Sequence, residues 1–192
     1  MFWWYLTFDD HPALQAAIPR IQRALELSEA VDLVPPEWLH LTLQEVGFVD
    51  AVPQAHVGAV CEAARHLSGL GPLELSLGPL ETMHSAVVLE AGPADDLSRL
   101  RTELHRATTA VMGPSVPAHP TGGEFRPHVT LGYLNRDCEA REVLPDEARS
   151  LVEPIPRVPV RHVTLVAVSR SVGGYRWEPQ GKVALVSDER QP

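Results

Sequence analysis

The segment Leu39-His40-Leu41-Thr42-Leu43-Gln44-Glu45-Val46 alternates leucine with polar residues over its first five positions. A period of two marks a strand with one buried face. Leu41 and Leu43 are therefore expected in the core, with His40 and Thr42 projecting together from the opposite face. The pattern returns at His128-Val129-Thr130-Leu131 and at His162-Val163-Thr164-Leu165. Random placement of nine histidines and nine threonines gives roughly a twentieth of one such tetrapeptide.

Working outward, strands and helices alternate. Residues 2–8 are expected as a first strand, residues 12–28 as a helix with Leu14, Ile18, Ile21 and Leu25 inward, and 31–34 as a short strand. Pro53 opens a second helix, where a missing N–H costs little. Its apolar stripe is Val57, Val60, Cys61, Ala64 and Leu67, and Gly69 and Gly71 end it. Strands follow at 73–80 and 86–90. Asp95 and Asp96 then favour the positive end of a third helix, which buries Leu97, Leu100, Leu104, Ala107 and Val111 and stops at Gly113-Pro114. A Pro/Gly-rich loop over 114–126 leads to a strand at 128–134. A short helix at 138–150 and strands at 158–168, 175–177 and 182–186 complete the chain, with a hairpin turn at Gly173-Gly174. This order predicts an α+β fold whose first half is roughly repeated by its second, hence two similar lobes. Neither G-x-G-x-x-G nor G-x-x-x-x-G-K-[ST] occurs, which argues against Rossmann and P-loop enzymes.

The chain has 192 residues and a formal net charge of −9. Such an acidic surface repels duplex DNA as a whole but leaves room for one local phosphate site. Cys61 and Cys138 form neither a disulfide framework nor a zinc spacing, which fits a reducing, cytoplasmic setting. The apolar start, Met1 to Phe8, lacks a basic region and ends at Asp9-Asp10, so it reads as a strand rather than a leader or membrane span.

Two His-x-Thr strands facing one another supply two imidazoles and two hydroxyls around one cavity. Cleavage of a phosphodiester needs that set: a base for water, an acid for the leaving oxygen, and donors for the non-bridging oxygens. One such strand alone is more simply a half-buried polar face. The other histidines, His11, His56, His66, His84, His105 and His119, have no metal-ligand spacing. Trp3, Trp4 and Phe8 are expected in the core. Tyr175 and Trp177 can either pack the last hairpin or stack on a base.

The segment from Pro35 through Trp38-Leu39-His40-Leu41-Thr42-Leu43 to Gly47, and Phe125-Arg126-Pro127-His128-Val129-Thr130-Leu131-Gly132, together resemble the paired signatures of the 2H phosphoesterase superfamily. The nearest branch is the 2′-5′ RNA ligase-like group, which includes RNA 2′,3′-cyclic phosphodiesterases. The 88-residue offset between His40 and His128 is typical of that group. His162 lacks the preceding proline and following glycine, so it and Thr164 are expected to face outward from a strand. The resemblance implies one bilobal unit over residues 1–192, with two antiparallel sheets lining a central cleft and helices outside. It also implies cofactor-free and metal-free hydrolysis of 2′,3′-cyclic phosphate ends of RNA or nucleotides to 2′-phosphates, with 2′-5′ ligation as the reverse reaction. In that scheme His128 is the base, a protonated His40 the acid, and Thr42 and Thr130 hold the phosphoryl oxygens; environment decides which imidazole does which. A basic residue common after the second motif is missing, and Arg126, Tyr133, Arg136 and Tyr175 are the candidates for substrate contact. A monomer is expected, with no membrane partner. The alternative is a module that binds nucleotides or RNA ends without turnover.

Overall fold

The computed structural model describes residues 1–25, 28–65, 70–117, 125–144, 155–171 and 174–186. Within these, the order is β1 (Phe2–Thr7), α1 (Pro12–Leu25), β2 (Val31–Leu33), a 3-10 turn (Pro36–Trp38), β3 (His40–Gly47), α2 (Gln54–Ala64), β4 (Leu73–Met83), β5 (Ala86–Gly92), α3 (Ala94–Met112), β6 (His128–Leu134), α4 (Ala140–Val143), β7 (Val158–Val160), β8 (His162–Ser171) and β9 (Gly174–Ala184). The fold is α+β, and its antiparallel sheet curls strongly into a half-barrel. Neighbouring strands run β7-β4-β5-β6-β3-β1-β8-β9, with β2 added to β6.

The two expected sheets are the halves of this array, β9-β8-β1-β3 and β6-β5-β4-β7. They join through one registered pair, Leu41 with Val129. These are the middle residues of the two His-x-Thr segments. The antiparallel junction therefore turns His40 toward Thr130 and Thr42 toward His128.

The alternation holds where it matters. Leu41, Leu43, Val129 and Leu131 are all 1% exposed or less. They belong to a contiguous apolar cluster that also takes in Leu14, Ile18 and Leu25 of α1, Val57 and Val60 of α2, and Leu97, Leu100 and Leu104 of α3. Trp4 is fully buried and its Nε1 donates to Thr108 of α3 at 3.1 Å. Gln22 of α1 donates to the carbonyls of Val34 (2.7 Å) and Leu131 (3.1 Å), tying the helix to the second motif strand.

Each motif strand also carries an irregularity at its leucine. Trp4 pairs with Gln44 and Tyr5 with Thr42, so Leu43 is an extra residue in β3. Val87 pairs with Gly132 and Val88 with Thr130, so Leu131 is an extra residue in β6. A bulge resets the alternation, and this is why Tyr133, three residues after Thr130, returns to the same face.

Several expectations change. The strands expected at 175–177 and 182–186 are one strand, β9, which passes Pro179 through a bulge opposite the Leu165–Val166 step. The stretch 158–168 is two strands, separated at Arg161. Trp3 is not in the core; it lines a cavity on the concave face. Thr164 does not face outward: it is buried and its hydroxyl lies 3.3 Å from that of Thr7. Leu67, Gly69, Gly173, residues 118–124 of the loop and residues 145–150 of the short helix lie outside the described residues.

Candidate active site

His40 and His128 line one cavity of about 250 Å³ with Thr42, Thr130 and Tyr133. The two imidazoles are held alike. His40 Nδ1 lies 2.8 Å from the carbonyl of Trp38, and His128 Nδ1 lies 2.7 Å from the carbonyl of Arg126. A carbonyl only accepts, so each Nδ1 carries the proton and each Nε2 is left for chemistry. The 3-10 turn Pro36–Trp38 sets the first of these carbonyls. Gln15 secures that turn by donating to the carbonyls of Phe8 (2.9 Å) and Pro36 (3.1 Å).

The threonines are also flanked alike, each by a tyrosine. Tyr5 lies beside Thr42, and Tyr133 beside Thr130. Burial raises the pKa of both phenols, so they remain neutral donors and acceptors. Tyr5 further stacks on His40, with ring centroids 4.0 Å apart and planes 9° from parallel.

Around this approximate symmetry the electrostatics differ. Burial pushes the pKa of His40 down to about 4; the Trp38 carbonyl opposes this and the neighbouring His128 adds to it. A group with that pKa is neutral at pH 7 in the open site. The expectation that His40 enters protonated runs against this environment.

The cavity continues into a larger one of about 460 Å³, sharing His40, Thr42 and Tyr133 and adding Trp3, Tyr5, Val168, Arg170 and Tyr175. Tyr133 and Tyr175 meet edge to face at 6.0 Å, and the Arg170 guanidinium lies 5.8 Å from the Tyr175 ring centre. The expected contacts thus divide. Tyr133 and Tyr175 line the cleft. Arg126 does not; its guanidinium is ion-paired with Glu90. Arg136 is exposed and lines neither cavity. A cationic side chain that does line it is Arg170, beside Ser169, which the sequence reading passed over because only the β8–β9 pairing brings it there.

His84 was missed as well. It sits in the two-residue turn between β4 and β5 and lines the His40–His128 cavity with Ser85. Its φ of 51° lies in the left-handed region, which costs a non-glycine residue about 1 kcal/mol. Among the described residues no group of three or more His, Cys, Asp or Glu side chains is arranged to hold a metal ion.

The model of the 2′-5′ RNA ligase superfamily matches residues 9–171, both motif strands included. The chain belongs to this superfamily. Its solved relatives share the fold over almost their whole length. The Thermus thermophilus protein TT0787 superposes with a TM-score of 0.72 at 20% identity, covering 98% of this chain and 99% of that one. Escherichia coli LigT in complex with 3′-AMP gives 0.65 at 20% identity, covering 96% and 97%. A structure described as a phosphoesterase gives 0.66 at 23% identity, covering 96% and 98%. No curated protein sequence matches this superfamily member. At these identities the solved structures speak for the fold. The third His-x-Thr-Leu of the chain differs from the other two in geometry as well as flanks: β8 pairs with β1 without any shift, so Leu165 makes no bulge.

Proposed function

We propose that this chain is a phosphodiesterase that opens 2′,3′-cyclic phosphates at RNA or nucleotide ends, leaving a 2′-phosphate and a free 3′-hydroxyl. The observation that carries this reading is the paired tautomer lock: two imidazoles on one cavity, each with Nδ1–H fixed on a main-chain carbonyl and Nε2 available. Nucleotide binding would serve LigT-like relatives in the same way, since LigT has been crystallised with 3′-AMP, ATP, NADP+ and phosphate.

In this proposal the roles are the reverse of the sequence expectation, because burial favours a neutral His40 in the open site. His40, neutral at pH 7, takes a proton from water through Nε2 as that water attacks phosphorus. The bond from phosphorus to O3′ breaks, and His128, which enters this step carrying a second proton on Nε2, delivers that proton to the departing oxygen, while the proton taken from water stays on His40. The bond to O2′ remains. Thr42 and Thr130 donate to the non-bridging oxygens as charge builds there. The nucleoside lies in the larger cavity, its base against Tyr175 and Trp3 and its charge balanced by Arg170. No step passes through a metal.

Phosphorus NMR of 2′,3′-cyclic nucleotides and short cyclic-ended RNAs tests this directly. The expected product is the 2′-phosphate, formed equally well in EDTA. His40→Ala and His128→Ala each lose roughly 100- to 10,000-fold in turnover. Loss of activity in EDTA with recovery on adding zinc, or turnover that survives His128→Ala, would overturn the reading.

A further inference from the structure

The third His-x-Thr segment is not spent on the catalytic cleft. His162 lines a separate cavity of about 200 Å³ with Thr7, Asp10, His11, Arg161 and Lys182. This cavity lies on the same concave face. Thr7 pairs with His40 across β1 and β3, and Thr164 pairs with Lys182 across β8 and β9. Between the two cavities stands the cluster in which Trp38 and Trp177 pack with Tyr5 and Val166. The buried Thr7–Thr164 contact closes the floor.

The charges here are unlike those of the chain as a whole. The protein carries −9, yet this cavity gathers a lysine, an arginine and two histidines around one carboxylate. That carboxylate is already occupied. Asp10 Oδ1 lies 3.2 Å from His11 Nε2, and Asp10 Oδ2 accepts from Lys182 Nζ at 3.4 Å. The Arg161 guanidinium and the His162 ring have no side-chain partner among the described residues. A cavity lined by a guanidinium, an imidazole and an ammonium fits a group with several acceptor oxygens and negative charge.

We propose that this cavity is a second anion site that takes a phosphate group, separate from the catalytic cleft and independent of its chemistry. Arg161 and His162 make the primary contacts. Lys182 swings from Asp10 to the anion or shares its protons between them. The phosphate can come free or on the end of a nucleotide, since both offer the same oxygens.

The test uses the full chain carrying His40→Ala and His128→Ala, which leaves the second site as the place for phosphate. Histidine ring signals are followed by NMR while inorganic phosphate, 5′-AMP or acetate is added at constant ionic strength. The expected result is saturable movement of the His11 and His162 signals by phosphate, with acetate weaker. Saturation by 5′-AMP as well marks a nucleotide phosphate as admissible; movement by phosphate alone restricts the site to the free ion. Arg161→Gln weakens the response by roughly tenfold, the size of one charge-assisted hydrogen bond. Asp10→Asn strengthens it, because the lysine and His11 are released; a purely structural cluster would instead only lose stability. In the otherwise wild-type chain, Arg161→Gln leaves cyclic-phosphate turnover unchanged. Circular dichroism on each variant confirms folding, and His162→Gln provides a second variant should Arg161→Gln fail to fold. Unmoved His11 and His162 signals, or equal responses in wild-type and Arg161→Gln cavities, would overturn the proposal.

Discussion

Tyr5 covers one face of the His40 ring, and that contact sets how the site should respond to acid. With His40 as the base and a pKa near 4, kcat/KM is expected to rise through about pH 4, not through the ordinary imidazole value of 6.5. Tyr5→Leu admits water to the ring and moves this limb upward, whereas Tyr5→Phe keeps the stack and moves it little. A limb unmoved in Tyr5→Leu would assign it to another group. The same residue makes a stability prediction. The unfolded chain titrates His40 near 6.5 and the folded chain near 4, so between those values the unfolded state binds more protons. Stability from this group is complete above pH 6.5, falls as pH drops through the window, and levels off below 4. The loss is on the order of 3 kcal/mol. Denaturant unfolding of wild type and His40→Gln at about pH 7 and pH 4.5 checks it: the variant should lose less across the window, and an equal loss would sink the assignment.

At the scale of elements, the glycine that follows the second motif has a packing reason. A Cβ on Gly132 would sit 2.5 Å from Val31 Cγ1 and 3.1 Å from the Asp32 carbonyl oxygen, because β2 closes against β6 there. Gly132→Ala is expected to cost about 1–3 kcal/mol. Since the tightest contact is a side chain, Val31→Ala should recover part of that loss in the double variant, a coupling that urea midpoints measure. Strict additivity would mean the strain lies elsewhere. The strands themselves were legible because His40–Leu43 and His128–Leu131 alternate, and helix faces such as Leu97, Leu100 and Leu104 follow a period that needs no tertiary information. Three things were hidden. The bulges at Leu43 and Leu131 arise from pairing, so the return of Tyr133 to the cleft could not be counted off the chain. Thr164 looks like Thr42 in sequence, and only its neighbour Thr7 on β1 makes it a buried contact. Arg170 enters the cleft through the β8–β9 hairpin, whereas Arg126, closer in sequence, is drawn to Glu90.

At the scale of the whole molecule, the relevant quantity is the field of a chain with net charge −9. Arg170 and two imidazoles make the cleft locally receptive, but their reach is short because surrounding acidic groups dominate beyond about 10 Å at ordinary ionic strength. A cyclic-ended mononucleotide carries little charge outside the cleft. A long RNA keeps many phosphates outside it, where they meet the acidic surface. The salt dependence should therefore run opposite to that of a basic RNA-binding protein, whose affinity falls steeply as counterions compete. Raising salt from roughly 20 to 200 mM screens the repulsion, so kcat/KM for a long cyclic-ended RNA is expected to rise while that for a mononucleotide stays nearly flat. The preference for short substrates should be greatest at the lowest salt. Steady-state rates on a length series at fixed pH measure this. A long-RNA rate that falls with salt would show a basic track outside the cleft, and the view of a site that grips only the terminal nucleotide would have to be given up.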